Sequence, residues 1–72
     1  MSEQVKIKAS ESRSGDIIFV QNPYANLSMV KAKITKIANY KFKIDEVIIY
    51  YEYKGTEFYT FFHKNQTIII FK

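Results

Sequence analysis

Between Asp45 and Lys64 the chain reads DEVIIYYEYKGTEFYTFFHK, two runs of β-branched and aromatic residues hinged on Lys54-Gly55. Ile, Val, Tyr, Phe and Thr are strand formers, because branched and flat side chains pack well on a pleated surface. Gly55 supplies the positive φ that a tight hairpin turn demands. The segment therefore predicts two antiparallel strands, over 46–53 and 57–62. It also carries bulk on both faces, which a half-buried strand does not need. Such strands alternate apolar and polar residues, yet Ile48, Ile49, Tyr50 and Tyr51 are consecutive, as are Phe61 and Phe62. A two-residue turn at Lys54-Gly55 puts Tyr50 opposite Tyr59, Ile48 opposite Phe61 and Glu52 opposite Glu57. Glu52, Lys54 and Glu57 share that parity and mark it as the outer face. Val47, Ile49, Tyr51, Phe58, Thr60 and Phe62 then point to a core. A three-residue loop ending at Gly55 would separate Glu52 from Glu57 but scramble the two faces.

The rest of the chain follows the same period. Val5, Ile7 and Ala9 alternate with Lys6 and Lys8, and DIIFVQ from Asp16 is a short strand. SESRSG between them reads as a flexible loop of residues that bond their own backbone in turns. NPYANLS breaks the next run at Asn22-Pro23, since proline cannot sit in a central ladder. In MVKAKITKIA, Val30, Ala32 and Ile34 share one side, and then the phase slips so that Ile37 has the parity of Lys31 and Lys33. A β-bulge near Thr35 and Lys36 restores the pattern. NYK marks a turn, after which Phe42 and Ile44 lead into the strand that begins at Glu46. HKNQ is a short connection, and TIIIFK closes the chain. A helix over 28–38 is disfavoured, because its apolar period is nearer two than 3.6.

With 72 residues and no cysteine, neither disulfides nor a thiolate metal site can hold the fold together, so packing must. The 47% hydrophobic content, with six Tyr and six Phe, provides for that. No apolar run approaches the ~18 residues of a membrane helix, and MSEQVKIK lacks the apolar stretch of a secretory signal. These features predict a single domain over 1–72, cytoplasmic, with no membrane association. The Ile, Lys, Tyr, Asn and Phe bias fits an AT-rich coding source, bacterial or phage; if phage-encoded, the site of action is the host cytoplasm. Five to six short antiparallel strands in so few residues would expose a whole apolar face if flat. The expected architecture is therefore an all-β small barrel, a sheet curled on itself.

Two segments carry a resemblance. GDIIFV (15–20), a loop and VKAKI (30–34) resemble the middle of an SH3 domain. There a Gly-Asp turn leads into an apolar strand, and a Lys-Ala pair follows the variable loop. The resemblance implies an SH3-like barrel, a shape shared with Tudor, KOW and Sm-like domains. The aromatic strand, the Trp and the closing motif with which SH3 domains grip proline-rich peptides have no counterpart here. The implied likeness is of fold, without that ligand.

Catalysis is not expected. The chain has one His, His63, at a strand end, and its only glycines, Gly15 and Gly55, form no phosphate loop. Asp45 and Glu46 are adjacent, so on a strand they point to opposite faces and cannot share a metal. No cofactor is implied. The charge pattern says more. Net charge is +4, and Lys31, Lys33, Lys36, Lys41 and Lys43 fall within thirteen residues that hold no acid. Lys31 and Lys33 would share one face, Lys41 and Lys43 another on the incoming strand, and together they would make a stripe suited to a phosphate backbone. Lysine rather than arginine points to weak sequence specificity. With Tyr40, Tyr50 and Tyr59 to stack on bases, this composes a nucleic-acid-binding surface, DNA or RNA. The same patch of Ile48, Tyr50, Tyr59 and Phe61 equally describes an interface for an acidic protein partner or a second copy, as a phage or bacterial accessory protein would use. The remaining alternative is that the N-terminal segment or the NPYANLS loop folds over it.

Overall fold

The hairpin that dominates the sequence sets the frame for everything around it. A computed structural model describes residues 3–25 and 27–72; the NPYANLS loop is thus described except at Asn26. Six strands follow one another: β1 (Gln4–Lys8), β2 (Ile17–Gln21), β3 (Met29–Asn39), β4 (Glu46–Tyr53), β5 (Thr56–His63) and β6 (Thr67–Phe71). They form one antiparallel sheet in the order β1-β6-β2-β3-β4-β5.

Strands β4 and β5 pair in the two-residue register, with Tyr53 opposite Thr56, Tyr50 opposite Tyr59 and Ile48 opposite Phe61. Lys54 and Gly55 both have positive φ, +53° and +78°. This is the condition for the hairpin turn whose twist matches that of its strands. A left-handed conformation costs lysine, with its Cβ, more than it costs glycine. The faces sort as the charges indicate: Val47, Ile49 and Tyr51 are buried, and Phe58 and Phe62 pack against that core. Glu52 does face Glu57. The Thr35 hydroxyl donates to Glu57 Oε2 at 2.9 Å, which satisfies one oxygen of the crowded pair.

The bulge is where the phase slip requires it. Pairing of β3 with β4 shifts between Ile34 and Lys36. Before it Ile34 faces Tyr51; after it Ile37 faces Ile49 and Lys36 faces Tyr50. One extra residue thus returns Ile37 to the core side, where it packs on the cluster.

Two expectations fail. Phe42 and Ile44 do not run into β4, and Lys41 and Lys43 lie on no strand. Residues 40–45 instead make two successive turns, closed by Lys43 N–H to Tyr40 O (3.2 Å), Glu46 N–H to Lys43 O (3.0 Å) and Tyr40 N–H to Glu46 O (3.1 Å). Once those carbonyls are engaged within the turn, the backbone cannot pair across to β3. Phe42 and Ile44 are left 74% and 90% exposed. Nor is SESRSG a flexible loop. Ala9, fully buried, leaves β1 to start a 3-10 turn (Ala9–Glu11). Ala9 N–H donates to Gln66 O and Ser10 N–H to Lys64 O, and the buried Ser12 hydroxyl donates to Ala9 O at 2.6 Å. Arg13 N–H donates to Asp16 Oδ2, while Gly15, at φ +96°, donates to Ile34 O.

One face of all six strands feeds a single core. Ile18, Ile34, Ile49 and Ile70 are essentially inaccessible, and Val5 and Ile7 of β1 pack on the same cluster. Ile18 joins the two halves, facing Ala32 on β3 and Ile70 on β6. Among the described residues the only helical element is the 3-10 turn, so the sheet must fold over onto itself to bury this face. Its two edges, β1 and β5, are not joined by strand pairing.

Tyr51 and Lys54 yield separate predictions. Burial raises the Tyr51 phenol above its ordinary value of 10.0, because the phenolate loses hydration. The folded state therefore holds this proton more tightly than the unfolded chain. That stabilisation is complete below the unfolded value and is lost as pH rises through the folded one. In urea denaturation, wild type should lose stability relative to Tyr51→Phe as the pH rises above about 10. Lys54→Asn should raise stability by several tenths of a kcal/mol, because asparagine tolerates the left-handed conformation better; the urea midpoint reads this directly.

Candidate functional site

The outer face of β3, β4 and β5 can be read as rows across the sheet. Nearest the Lys54-Gly55 turn lie Lys33, Glu52 and Glu57, and next come Lys36, Tyr50 and Tyr59. Ala38, Ile48 and Phe61 follow, and Glu46 opposite His63 bounds the far side. Two apolar rows therefore sit between two charged ones.

The 40–45 turn extends the apolar rows. Phe42 meets Tyr40 at a ring-centroid distance of 5.6 Å, Tyr40 meets Phe61 at 5.0 Å, Phe61 meets Tyr59 at 5.8 Å, and Tyr59 meets Tyr50 at 6.0 Å. Five rings thus form one unbroken run, each step within the range where edge and offset ring contacts are attractive. A lysine caps each end. Lys41 Nζ lies 5.2 Å from the Phe42 centroid and Lys36 Nζ 5.5 Å from that of Tyr50, close enough for the ring's negative face to hold the cation. Tyr59 is 61% and Phe61 46% exposed, and Tyr50 and Tyr40 are half-buried beneath their neighbours.

Among the described residues no segment covers this run. The 22–28 loop, held by Asn22 Oδ1 accepting from Tyr24 N–H and by Asn22 N–H donating to Ser28 O, turns to the other side of the hairpin. There Tyr24 packs on Tyr53 and Phe58, both of core parity. Strand β1 is engaged with β6.

The lysines divide. The bulge sets Lys36 on the same outer face of β3 as Lys31 and Lys33, so these three line up. Lys33 faces Glu52 across the sheet, and Lys31 Nζ sits 4.3 Å from the Phe71 centroid. Phe71 in turn meets Phe19 edge-on at 5.8 Å, a second and smaller aromatic patch on the same side. Lys41 and Lys43 are carried by the turn, and Lys43 is spent on Glu46 at 3.5 Å.

Phe42, Phe19 and Phe71 are surface aromatics that sequence reasoning did not single out. The Tyr40-x-Phe42 spacing was a usable signal for the first. Phe19 and Phe71 meet only because β6 pairs beside β2, which no local pattern encodes.

Among the described residues no group of three or more His, Cys, Asp or Glu side chains could hold a metal ion, and no helix is long and apolar enough to cross a membrane. A groove of about 370 Å³ runs between β5 and the β2–β3 loop, lined by Val20, Pro23, Met29, Tyr51 and Phe62 among others. Comparison with protein-family models, curated proteins and solved structures found no match.

Phe61 is the joint between the turn and the sheet. Phe61→Ala should release Tyr40 and loosen residues 40–45. Amide exchange of Lys43 and Glu46 should then accelerate by about tenfold, the equivalent of one to two lost aromatic contacts. Hydrogen exchange followed by NMR reads these amides individually.

Proposed function

We propose that this chain is a non-enzymatic binding module that holds single-stranded nucleic acid, with low sequence specificity, across the outer face of β3, β4 and β5. In fold we read the curled sheet as an SH3-like barrel, supported by the Gly15-Asp16 turn into β2 and by Ala32 buried against Ile18. The observation that carries the functional reading is the run of five rings with Lys36 and Lys41 at its ends. Single strands are held by rings that stack on bases and ammonium groups that follow phosphates. Lys31 and Lys33 continue the cationic line along β3 from Lys36. A duplex hides its base faces and would forfeit the stacking.

A second reading has its own support. Glu52 and Glu57 flank Tyr50 and Tyr59 on this same face, and Glu46 bounds the other side. An aromatic centre with a rim of mixed charge is the anatomy of a protein interface, and carboxylates repel phosphates. An acidic partner would meet Lys31 and Lys36 first.

Fluorescence anisotropy with labelled single-stranded and duplex oligonucleotides at low salt decides between them. The expected result is single-strand binding that weakens linearly with the logarithm of salt concentration. Tyr59→Ala should cost roughly 1–3 kcal/mol, and Lys31→Glu with Lys36→Glu should abolish binding. Absence of binding at tens of micromolar (about 8 kcal/mol is the micromolar scale) overturns the nucleic-acid reading. A nuclease-treated pull-down that depends on Tyr59 would then support the protein partner.

A further inference from the structure

Strand β5 pairs with β4 on one side and with no strand on the other. Among the described residues the one backbone hydrogen bond outside the ladders on this strand is at its very end, where His63 O accepts the Gln66 N–H at 2.9 Å. Eight residues reading TEFYTFFH thus present alternate N–H and C=O groups as a template for a further strand. Proteins blunt such edges with lysine, proline or a bulge. The opposite edge, β1, carries Lys6 and Lys8, whereas β5 has no lysine, no proline and an uninterrupted register from Thr56 to His63.

We propose that β5 pairs antiparallel with β5 of a second copy, about a two-fold axis at Thr60. The sequence around Thr60 is complementary to its own reversal. With Thr60 on the axis, Phe58 meets the partner's Phe62 on the core side, and Tyr59 meets the partner's Phe61 on the outer side. Glu57 meets the partner's His63. Aromatic pairs and hydrogen-bonded polar pairs directly across a ladder stabilise it.

The hydrogen bond between Glu57 and the partner's His63 is prepared on both sides. His63 Nδ1 accepts the Asn65 N–H at 3.1 Å, which leaves the ring proton on Nε2 as a donor. Glu57 Oε2 is taken by Thr35, which leaves Oε1 as an acceptor, and Glu57 faces Glu52 in its own sheet, so a donor from outside relieves that repulsion. Both side chains are exposed. A slip of two residues sets Glu57 against the partner's Phe61 in one direction and His63 against the partner's Tyr59 in the other, each time leaving the second polar residue beyond the strand end, so the Glu57–His63 pair selects one register. The occupant is a second copy because the complementarity is to this strand itself. Pairing makes one continuous outer face, in which the Tyr59 and Phe61 rows of the two copies adjoin.

Light scattering on nuclease-treated protein tests this without any nucleic acid, so its result is separate from that of the oligonucleotide titration. At about 100 µM, where even a modest interface is populated, the expected mass is twice the 8.5 kDa of the chain. Glu57→Lys and His63→Glu, each alone, should raise the dimer dissociation constant about tenfold or more, since the first removes the acceptor for the His63 ring proton and the second sets two carboxylates against each other across the axis. Mixing the two single variants should restore dimer as a heterodimer, because one cross-pair then joins opposite charges and the other is the native Glu57–His63 hydrogen bond. A wild-type monomer at that concentration overturns the proposal. So does a dimer indifferent to both substitutions, or a mixture that stays as weak as its components.

Discussion

A sheet with no helical layer to cover it must bury its apolar face against itself, and the rest of this structure follows from that constraint. Six short strands supply one inward side chain in two, and the four innermost isoleucines come from β2, β3, β4 and β6. Only a curled sheet brings them into one cluster. Ile18 is the pivot, because it faces Ala32 on one neighbour and Ile70 on the other. Ala32 is itself buried beside it in the core. Each isoleucine so buried contributes about 1.5–3 kcal/mol, which matters in a chain this short.

Curling has a consequence for the outer face. A strand crossing from one half of the sheet to the other has to bend, and β3 does so at its bulge. The extra residue at Thr35 keeps the apolar side chains facing in on both sides of the bend. It also decides what faces out, aligning Lys36 with Lys31 and Lys33 and laying it over Tyr50. The same Thr35 reaches the carboxylate of Glu57. One backbone irregularity therefore serves core continuity, assembles the cationic line and steadies the acidic corner of the hairpin.

Legibility in the sequence tracked how local each feature is. The β4–β5 register was legible only as a choice of two, because the loop could hold two residues or three; the sorting of charges onto one face favours the two-residue turn, which is the one found. The bulge was readable because a slip in phase has few other remedies. The 40–45 turn was not. Phe42 and Ile44 keep a period of two whether or not the backbone is extended, and their exposure is set by hydrogen bonds within the turn. SESRSG misled for the converse reason. Its composition suits a solvated loop, but its order comes from Gln66, Lys64 and Ile34, each far away in sequence. Of the candidate binding residues, Tyr40, Tyr50, Tyr59 and Phe61 do come together, whereas the five lysines split between a strand and a turn.

By itself the sequence determined the strand class, the hairpin turn at Lys54-Gly55 and the presence of bulky aromatics on both faces of that hairpin, and it narrowed the register to two, of which the structure takes the two-residue one. These are properties of side-chain period and turn chemistry, which act over a few residues. The tertiary structure alone decided which aromatics meet, that the 22–28 loop turns away from them, and that β5 is left as an open edge. Those outcomes depend on which strands become neighbours when the sheet buries its apolar face, and that choice is made by burial summed over the whole chain.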